Sequence, residues 1–141
     1  MFVFKIKLPK RRLAISFLCF CLLATFMLCV SITRGESYPE GSDEKLRKAY
    51  IYSLGYRVES RDYKKETAIP ENFSEAYEMY NDKQRLVGFD LSKFKGEKVT
   101  LYGYKTKDTK NLLTLIVWRG RIIGGDVFSL EKGEISPLKK Q

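Results

Sequence analysis

Two carboxylates, Asp90 in Gly88-Phe89-Asp90-Leu91-Ser92 and Asp126 in Gly124-Gly125-Asp126-Val127, are the side chains whose type and setting best fit chemistry. A pair of carboxyl groups about 5 to 9.5 Å apart can hydrolyse a glycosidic bond, one as acid and the other as nucleophile or base. Each also has a plainer role. Asp90 reads as a turn residue bonding its own backbone, and Asp126 as a hydrogen-bond partner beside a strand bulge. A domain of about 100 residues rarely encloses a sugar-sized cleft, so the plainer roles are the expectation.

Other reactive groups are scarce. The chain has no histidine, and its three cysteines, Cys19, Cys21 and Cys29, all precede residue 33. That excludes Ser-His-Asp and Cys-His nucleophilic sites from the rest of the chain and removes the commonest transition-metal ligands. No metal or cofactor is expected. Gly124-Gly125 matches neither glycine motif for phosphates, and no Ser-x-x-Lys opens a helical pattern.

Binding chemistry has a better basis in the aromatic residues. Tyr102, Tyr104 and Trp118 come from neighbouring strand patterns, and on a shared face, with Lys98 or Arg119, they would suit a sugar ring or a peptide strand. The competing reading is that this face is core, because cross-strand aromatic pairs stabilise sheets.

The elements that would position these residues follow from periodicity. Ser42, Asp43 and Glu44 open a helix with Leu46, Ala49, Tyr50 and Leu54 on its apolar face, and Gly55 stops it. Tyr56 and Val58 begin a strand that fades into the charged stretch Arg61 to Glu66. Ile69-Pro70 is extended. A second helix carries Phe73, Ala76, Tyr77 and Tyr80, closed by Leu86 or Val87 before Gly88. Asn72-Phe73-Ser74 has the form of a glycosylation sequon but reads as this helix's N-terminus. Lys98 to Tyr104 alternates with period 2, and Leu112 to Trp118 is apolar at nearly every position, as in a central strand buried on both faces. Arg119-Gly120 makes a two-residue turn with glycine where φ is positive. Arg121 to Ser129 pairs back, with Gly124-Gly125 marking a bulge or a close backbone approach. A short edge strand around Ile135 is the last element.

Ahead of all this, Lys5, Lys7, Lys10, Arg11 and Arg12 precede an uncharged apolar run from Leu13 to Ile32. Such a run makes roughly 30 Å of helix, the thickness of a bilayer's hydrocarbon core. The positive flank keeps the N-terminus cytoplasmic and puts the remainder outside. A cleaved signal peptide is the alternative, giving a secreted domain, because Ser31, Thr33 and Gly35 supply small residues near the end of the run. The formal charge of +9 is uneven: 21 of the 26 cations and all 17 acids follow the run, so the pI does not argue for nucleic acid.

Taken together, Ser53-Leu54-Gly55-Tyr56, Ile69-Pro70, Tyr80-Asn81 through Gln84, Gly88 to Ser92, Phe94-Lys95-Gly96 and Gly120 to Val127 resemble a family of small domains of unknown function. These are membrane-anchored or secreted domains of clostridia and related Gram-positive bacteria, and the resemblance spans roughly Leu46 to Leu138. It implies an outer location and a Gram-positive source, and names no substrate. The family often has a cysteine soon after the Gly-Gly-Asp-Val phrase, where this chain has Phe128, so no thiol chemistry is implied.

The expected fold is α+β: one N-terminal transmembrane helix followed by two helices packed on a small antiparallel sheet of three to four strands. The expected organisation is a cytoplasmic basic tail at 1–12, a transmembrane helix or uncleaved signal anchor at 13–32, a flexible tether at 33–41 and an extracytoplasmic domain at 42–141. The expected role is a non-enzymatic cell-envelope binding or interaction module. Its partners would be the lipid bilayer and a cell-wall polymer or envelope protein, with no nucleic acid. Tyr102, Tyr104 and Trp118 would hold the ligand, while Asp90, Gly120, Gly124, Gly125 and Asp126 shape the fold. The alternative is a small carbohydrate-active or peptidoglycan-directed hydrolase using Asp90 and Asp126. External protease on intact cells should remove residues 33–141 and spare the first dozen; a protected domain would exclude this topology.

Overall fold

From Glu44 the chain forms helix α1 (Glu44–Ser53), strand β1 (Val58–Ala68), helix α2 (Glu75–Arg85) and a 3-10 turn (Leu91–Phe94). Strands β2 (Lys98–Thr106), β3 (Asn111–Trp118), β4 (Arg121–Ser129) and β5 (Glu134–Pro137) follow. The computed structural model describes Cys21 and residues 37–140. The chain divides into two units, Met1–Ser37 and Tyr38–Gln141, and all of these elements belong to the second.

Two expectations about fold class are corrected. The sheet has five antiparallel strands in the order β1-β2-β3-β4-β5, where three to four were expected. The charged stretch Arg61 to Glu66 does not end the strand at Val58 but continues it as the β1 edge, exposed along almost its whole length. Charge on an edge strand is the usual guard against pairing with another chain, and it erases the hydrophobic alternation by which strands are read. Nor is a transmembrane helix found: among the described residues no helix is long and apolar enough to cross a membrane. The segment 13–32 lies outside the described residues apart from Cys21, as does the tail 1–12.

Strand register assigns each side chain to a face. Tyr104 pairs with Leu113, and Leu113 with Val127, on one face; Gly103, Thr114 and Asp126 line up on the other. α1 covers the first face. Its Arg47 points into the sheet, with Nε donating to Tyr104 Oη at 3.0 Å and Nη1 to the Gly41 carbonyl at 2.7 Å and the Ser42 carbonyl at 3.1 Å. The guanidinium also lies 3.7 Å from the Tyr102 ring centroid. Ile51, Tyr104, Leu113, Leu115 and Ile122 fill the core beneath this helix. The helix is therefore turned from the expected face: Arg47 and Ile51 are buried while Ala49 is exposed. An arginine whose donors meet carbonyls and whose stem lies among apolar groups can take an inward position that a count of apolar residues does not reveal.

α2 and the 3-10 turn cover the second face, with Ile69, Leu91, Phe94, Ile116 and Ile123 as their core. Ser74 caps α2, accepting from Tyr77 N, and Glu75 sits favourably in its first turn. Leu86, one of two residues expected to close the apolar face, is 82% exposed. The buried positions of α2 are polar, Asn81 and Gln84.

Gln84 solves an edge problem. β5 pairs with β4 only from Asp126 to Ser129, and the outer edge of β4 before that would leave peptide groups unpaired inside the protein. At Gly125 the Gln84 amide takes the place of a strand: Nε2 donates to the Gly125 carbonyl and Oε1 accepts from Gly125 N, both at 3.0 Å, while Leu138 N, just past β5, shares the carbonyl at 3.1 Å. At the start of β4, residues 39–41 do the same work, with Ile122 N donating to the Pro39 carbonyl and Gly41 N to the Gly120 carbonyl. The end of the expected flexible tether is thus strapped to the sheet. The Arg119-Gly120 turn has φ of 45° and 78°, as the two-residue reading requires. A register shift places the bulge at Ile123, just before the paired glycines.

Replacing Tyr104, fully buried, with alanine should cost about 3 to 5 kcal/mol. Gln84→Leu, which strips Gly125 N of its acceptor and leaves the Gly125 carbonyl only Leu138 N, should cost about 1 to 3 kcal/mol. Urea unfolding at neutral pH measures both, and a wild-type midpoint for Gln84→Leu would contradict the edge-covering role.

Candidate ligand-binding cleft

The three aromatics expected to form a binding face do not share one. Tyr102 and Tyr104 pair with Leu115 and Leu113 on the α1 face, whereas Trp118 follows Val117, the partner of Thr100, and so points to the opposite side. Tyr104 has no exposed surface, and Tyr102 lies under the Arg47 guanidinium. Trp118 packs edge-on against Phe94 with centroids 5.1 Å apart and donates from Nε1 to Glu97 Oε2 at 2.8 Å.

Asp90 is the hub of a turn. It caps the 3-10 helix, with Oδ1 accepting from Ser92 N at 3.1 Å, Ser92 Oγ at 2.7 Å and Asn81 Nδ2 at 3.0 Å, while Arg85 Nε lies 3.3 Å away. Burial pushes its carboxyl up, but the hydrogen bonds from Ser92 and Asn81 and the Arg85 charge outweigh that and hold it at about 2. A carboxylate ionised so firmly cannot serve as a general acid near neutral pH.

Asp126 has the opposite surroundings. A cleft of about 340 Å³ opens on the α2 face of the sheet, with Ile69, Pro70, Leu101 and Ile116 among its apolar walls and Thr67, Tyr77, Tyr80, Thr114 and Asp126 as its polar lining. None of Tyr102, Tyr104 and Trp118 lines it. Tyr80 Oη donates to Asp126 Oδ2 at 2.8 Å, and the Thr114 hydroxyl, on the paired residue of β3, also favours the ionised carboxylate. Tyr63 Oη lies 3.1 Å from Thr114 Oγ1 and extends the chain of hydroxyls. It reaches there because Gly103, its cross-strand partner, leaves the space: a Cβ on Gly103 would collide with the Tyr63 ring.

Burial raises the Asp126 carboxyl above its usual value, partly offset by the Tyr80 and Thr114 hydrogen bonds. The Tyr80 phenol is pushed far up, first by burial and then by the Asp126 charge. Among the described residues no lysine or arginine lines the cleft, and neither does a second carboxylate. Asp90 and Asp126 are therefore not brought together across one cleft. Among the described residues no group of three or more His, Cys, Asp or Glu side chains is arranged to hold a metal ion.

The sequence singles out Asp126 but marks Tyr77 and Tyr80 only as the apolar face of a helix. Their spacing gives the correct face, and the carboxylate opposite them becomes visible only once the register of β4 is known. Gly124 and Gly125 serve packing: a Cβ on Gly124 would stand 3.2 Å from Gln84 Oε1, and one on Gly125 would stand 2.7 Å from the Thr114 carbonyl oxygen.

Fold and site thus define an α+β domain with a helix on each face of an antiparallel meander and a one-carboxylate cleft beneath the second helix. Residues 47–127 match the model of a family described as a domain of unknown function (DUF4830), and the chain belongs to that family. The matched span contains Thr67, Tyr77, Tyr80, Thr114 and Asp126, the polar residues of the cleft, and Tyr63 beside Thr114. Neither the curated proteins nor the solved structures offer a match to this chain.

The two acids predict opposite pH behaviour. For Asp90 the folded pKa lies below the ordinary 3.8, so its contribution to stability is full above that value and is lost as pH falls toward about 2. For Asp126 the folded pKa lies above 3.8, so its contribution is full below that value and is lost as pH rises through the folded pKa. Urea midpoints measured across pH should show Asp90→Asn flattening the acid limb and Asp126→Asn flattening the decline on the other side. The reverse assignment would contradict the geometry.

Proposed function

We propose that this chain is a non-enzymatic binding module of a Gram-positive cell envelope, working on the outer side of the membrane. The observation that carries the binding role is the cleft under α2, with apolar and tyrosine walls around a single carboxyl group. Small-ligand sites have this composition, mostly apolar with a few placed polar groups. The outer location rests on the basic cluster ahead of the uncharged stretch 13–32 and on the resemblance to membrane-anchored and secreted domains. A secreted form after signal cleavage is compatible with the same role. The partner is a cell-wall polymer or an envelope protein.

One observation favours a second reading. A carboxyl raised by burial in a cleft is what a general acid needs, so Asp126 alone would fit half of a glycosidase. The other half would be Asp90, which is committed to Ser92, Asn81 and Arg85. The binding reading is therefore the stronger.

Retention of the full-length protein on purified cell walls tests it. Tyr77→Ala, which removes a cleft wall, should lower retention by about tenfold or more, while Leu130→Ala, at an exposed site that does not line the cleft, should not. Both variants must melt like wild type. Unchanged retention in a folded Tyr77→Ala variant would contradict a binding role for the cleft. Release of sugar fragments that disappears with Asp126→Asn would replace the module with the hydrolase.

A further inference from the structure

We propose that the cleft receives an organic cation, an ammonium group on a short apolar stem, with Asp126 as its counter-ion and the rings of Tyr77 and Tyr80 beside it. The proposal rests on the cleft being the binding site and names the class of group it takes. Three observations converge on a cation. First, among the described residues the only charged side chain lining the cleft is Asp126. A carboxylate in such a place is under-compensated: the Tyr80 phenol supplies a hydrogen bond but no positive charge. An ionised carboxylate has about four acceptor sites, so the Tyr80 phenol leaves room for a further donor.

Second, the walls suit the stem and the rings suit the head. Ile69, Leu101 and Ile116 are apolar, and an ammonium beside a tyrosine face gains cation–π attraction in addition to the ion pair. Tyr77 and Tyr80, both lining the cleft, stand edge-on at 63° to one another with centroids 5.8 Å apart. Third, the alternatives fit badly. An anion would meet Asp126 with no opposing charge. A neutral sugar would need several hydrogen-bonding partners, and the lining provides only the Asp126 carboxyl and a few hydroxyls. At about 340 Å³ the cleft stands at the lower end of ligand-site volumes, suited to a side-chain-sized group. Amines displayed on wall peptides or on a protein partner have this chemistry.

The probes are n-butylammonium and the uncharged 1-butanol, titrated into full-length protein in a non-ionic detergent and followed by amide chemical shifts. Butylammonium should give saturable shifts centred on Leu101, Thr114 and Ile116, with a dissociation constant of order millimolar, as befits five heavy atoms. Butanol should bind at least about tenfold more weakly, and Asp126→Asn should weaken butylammonium by a similar factor. The comparison of the two probes on the wild type needs no variant, so it decides the matter even if Asp126→Asn fails to fold.

Equal shifts from both probes would overturn the cation while leaving the binding module intact. No shift at these residues up to about 100 mM butylammonium would also overturn the cation, whatever the cell-wall retention shows. Saturable butylammonium binding with wall retention unaffected by Tyr77→Ala would uphold the cation site and overturn the wall-binding role alone.

Discussion

The arrangement of this domain depends on one side chain amide, Gln84, standing in for a missing strand. Its two hydrogen bonds to the Gly125 peptide match the donor and acceptor of a neighbouring backbone. A buried peptide group left unpaired costs the full desolvation of that group, so the position is intolerant of a side chain that cannot both give and accept. The consequence reaches beyond the edge of β4. Tyr80 lies one helical turn before Gln84, and Asp126 directly follows Gly125, so the clamp sets the distance at which phenol and carboxylate meet. Asn81, between them, ties the same helix to the next turn, accepting from Leu91 N at 2.7 Å and donating to Asp90.

Arg47 plays the corresponding part on the other face, and the two cases explain what is legible in the sequence. Strands β2, β3 and β4 can be read because their apolar alternation or continuity reflects burial directly. The Arg119-Gly120 turn can be read because positive φ has a residue signature. The orientation of both helices is harder, since each turns a polar residue inward: Arg47 beneath α1, Asn81 and Gln84 beneath α2. Burial of a polar side chain depends on the partner that satisfies it, and those partners include backbone groups of residues 41, 42 and 125, which have no sequence signature.

The misplaced aromatic face has a different cause. Alternation within one strand separates its two sides, yet it does not say which side of the next strand is the same side. Tyr102 and Tyr104 are correctly grouped with each other, and Trp118 is assigned to them wrongly, because the answer lies in the pairing of Thr100 with Val117. A register displaced by one residue would reverse the result. The fifth strand is obscured in another way: β1 is exposed on both faces over most of its length, so its residues carry no hydrophobic period to detect.

Why a cleft opens beneath α2 follows from how unevenly this helix is held. Its C-terminal half is tied to the sheet by Gln84 and to the 3-10 turn by Asn81, both fully buried. Its N-terminal half carries large rings that pack on one another, Phe73 to Tyr77 at 4.5 Å and Tyr77 to Tyr80 at 5.8 Å between centroids. Rings satisfied by each other need not sink into the sheet. Opposite them the sheet presents small residues, Gly103 and Thr114, and Gly103 is already covered by the Tyr63 ring. Space therefore remains along Leu101, Thr114 and Ile116, bounded by Ile69-Pro70 at the end of β1. Placing Asp126 at this boundary leaves its carboxylate held by the Tyr80 phenol and facing a space lined largely with apolar side chains. A fully apolar core would have closed over that position; the hydroxyls of Tyr63 and Thr114, bonded to each other, and that of Tyr80, bonded to Asp126, keep it polar.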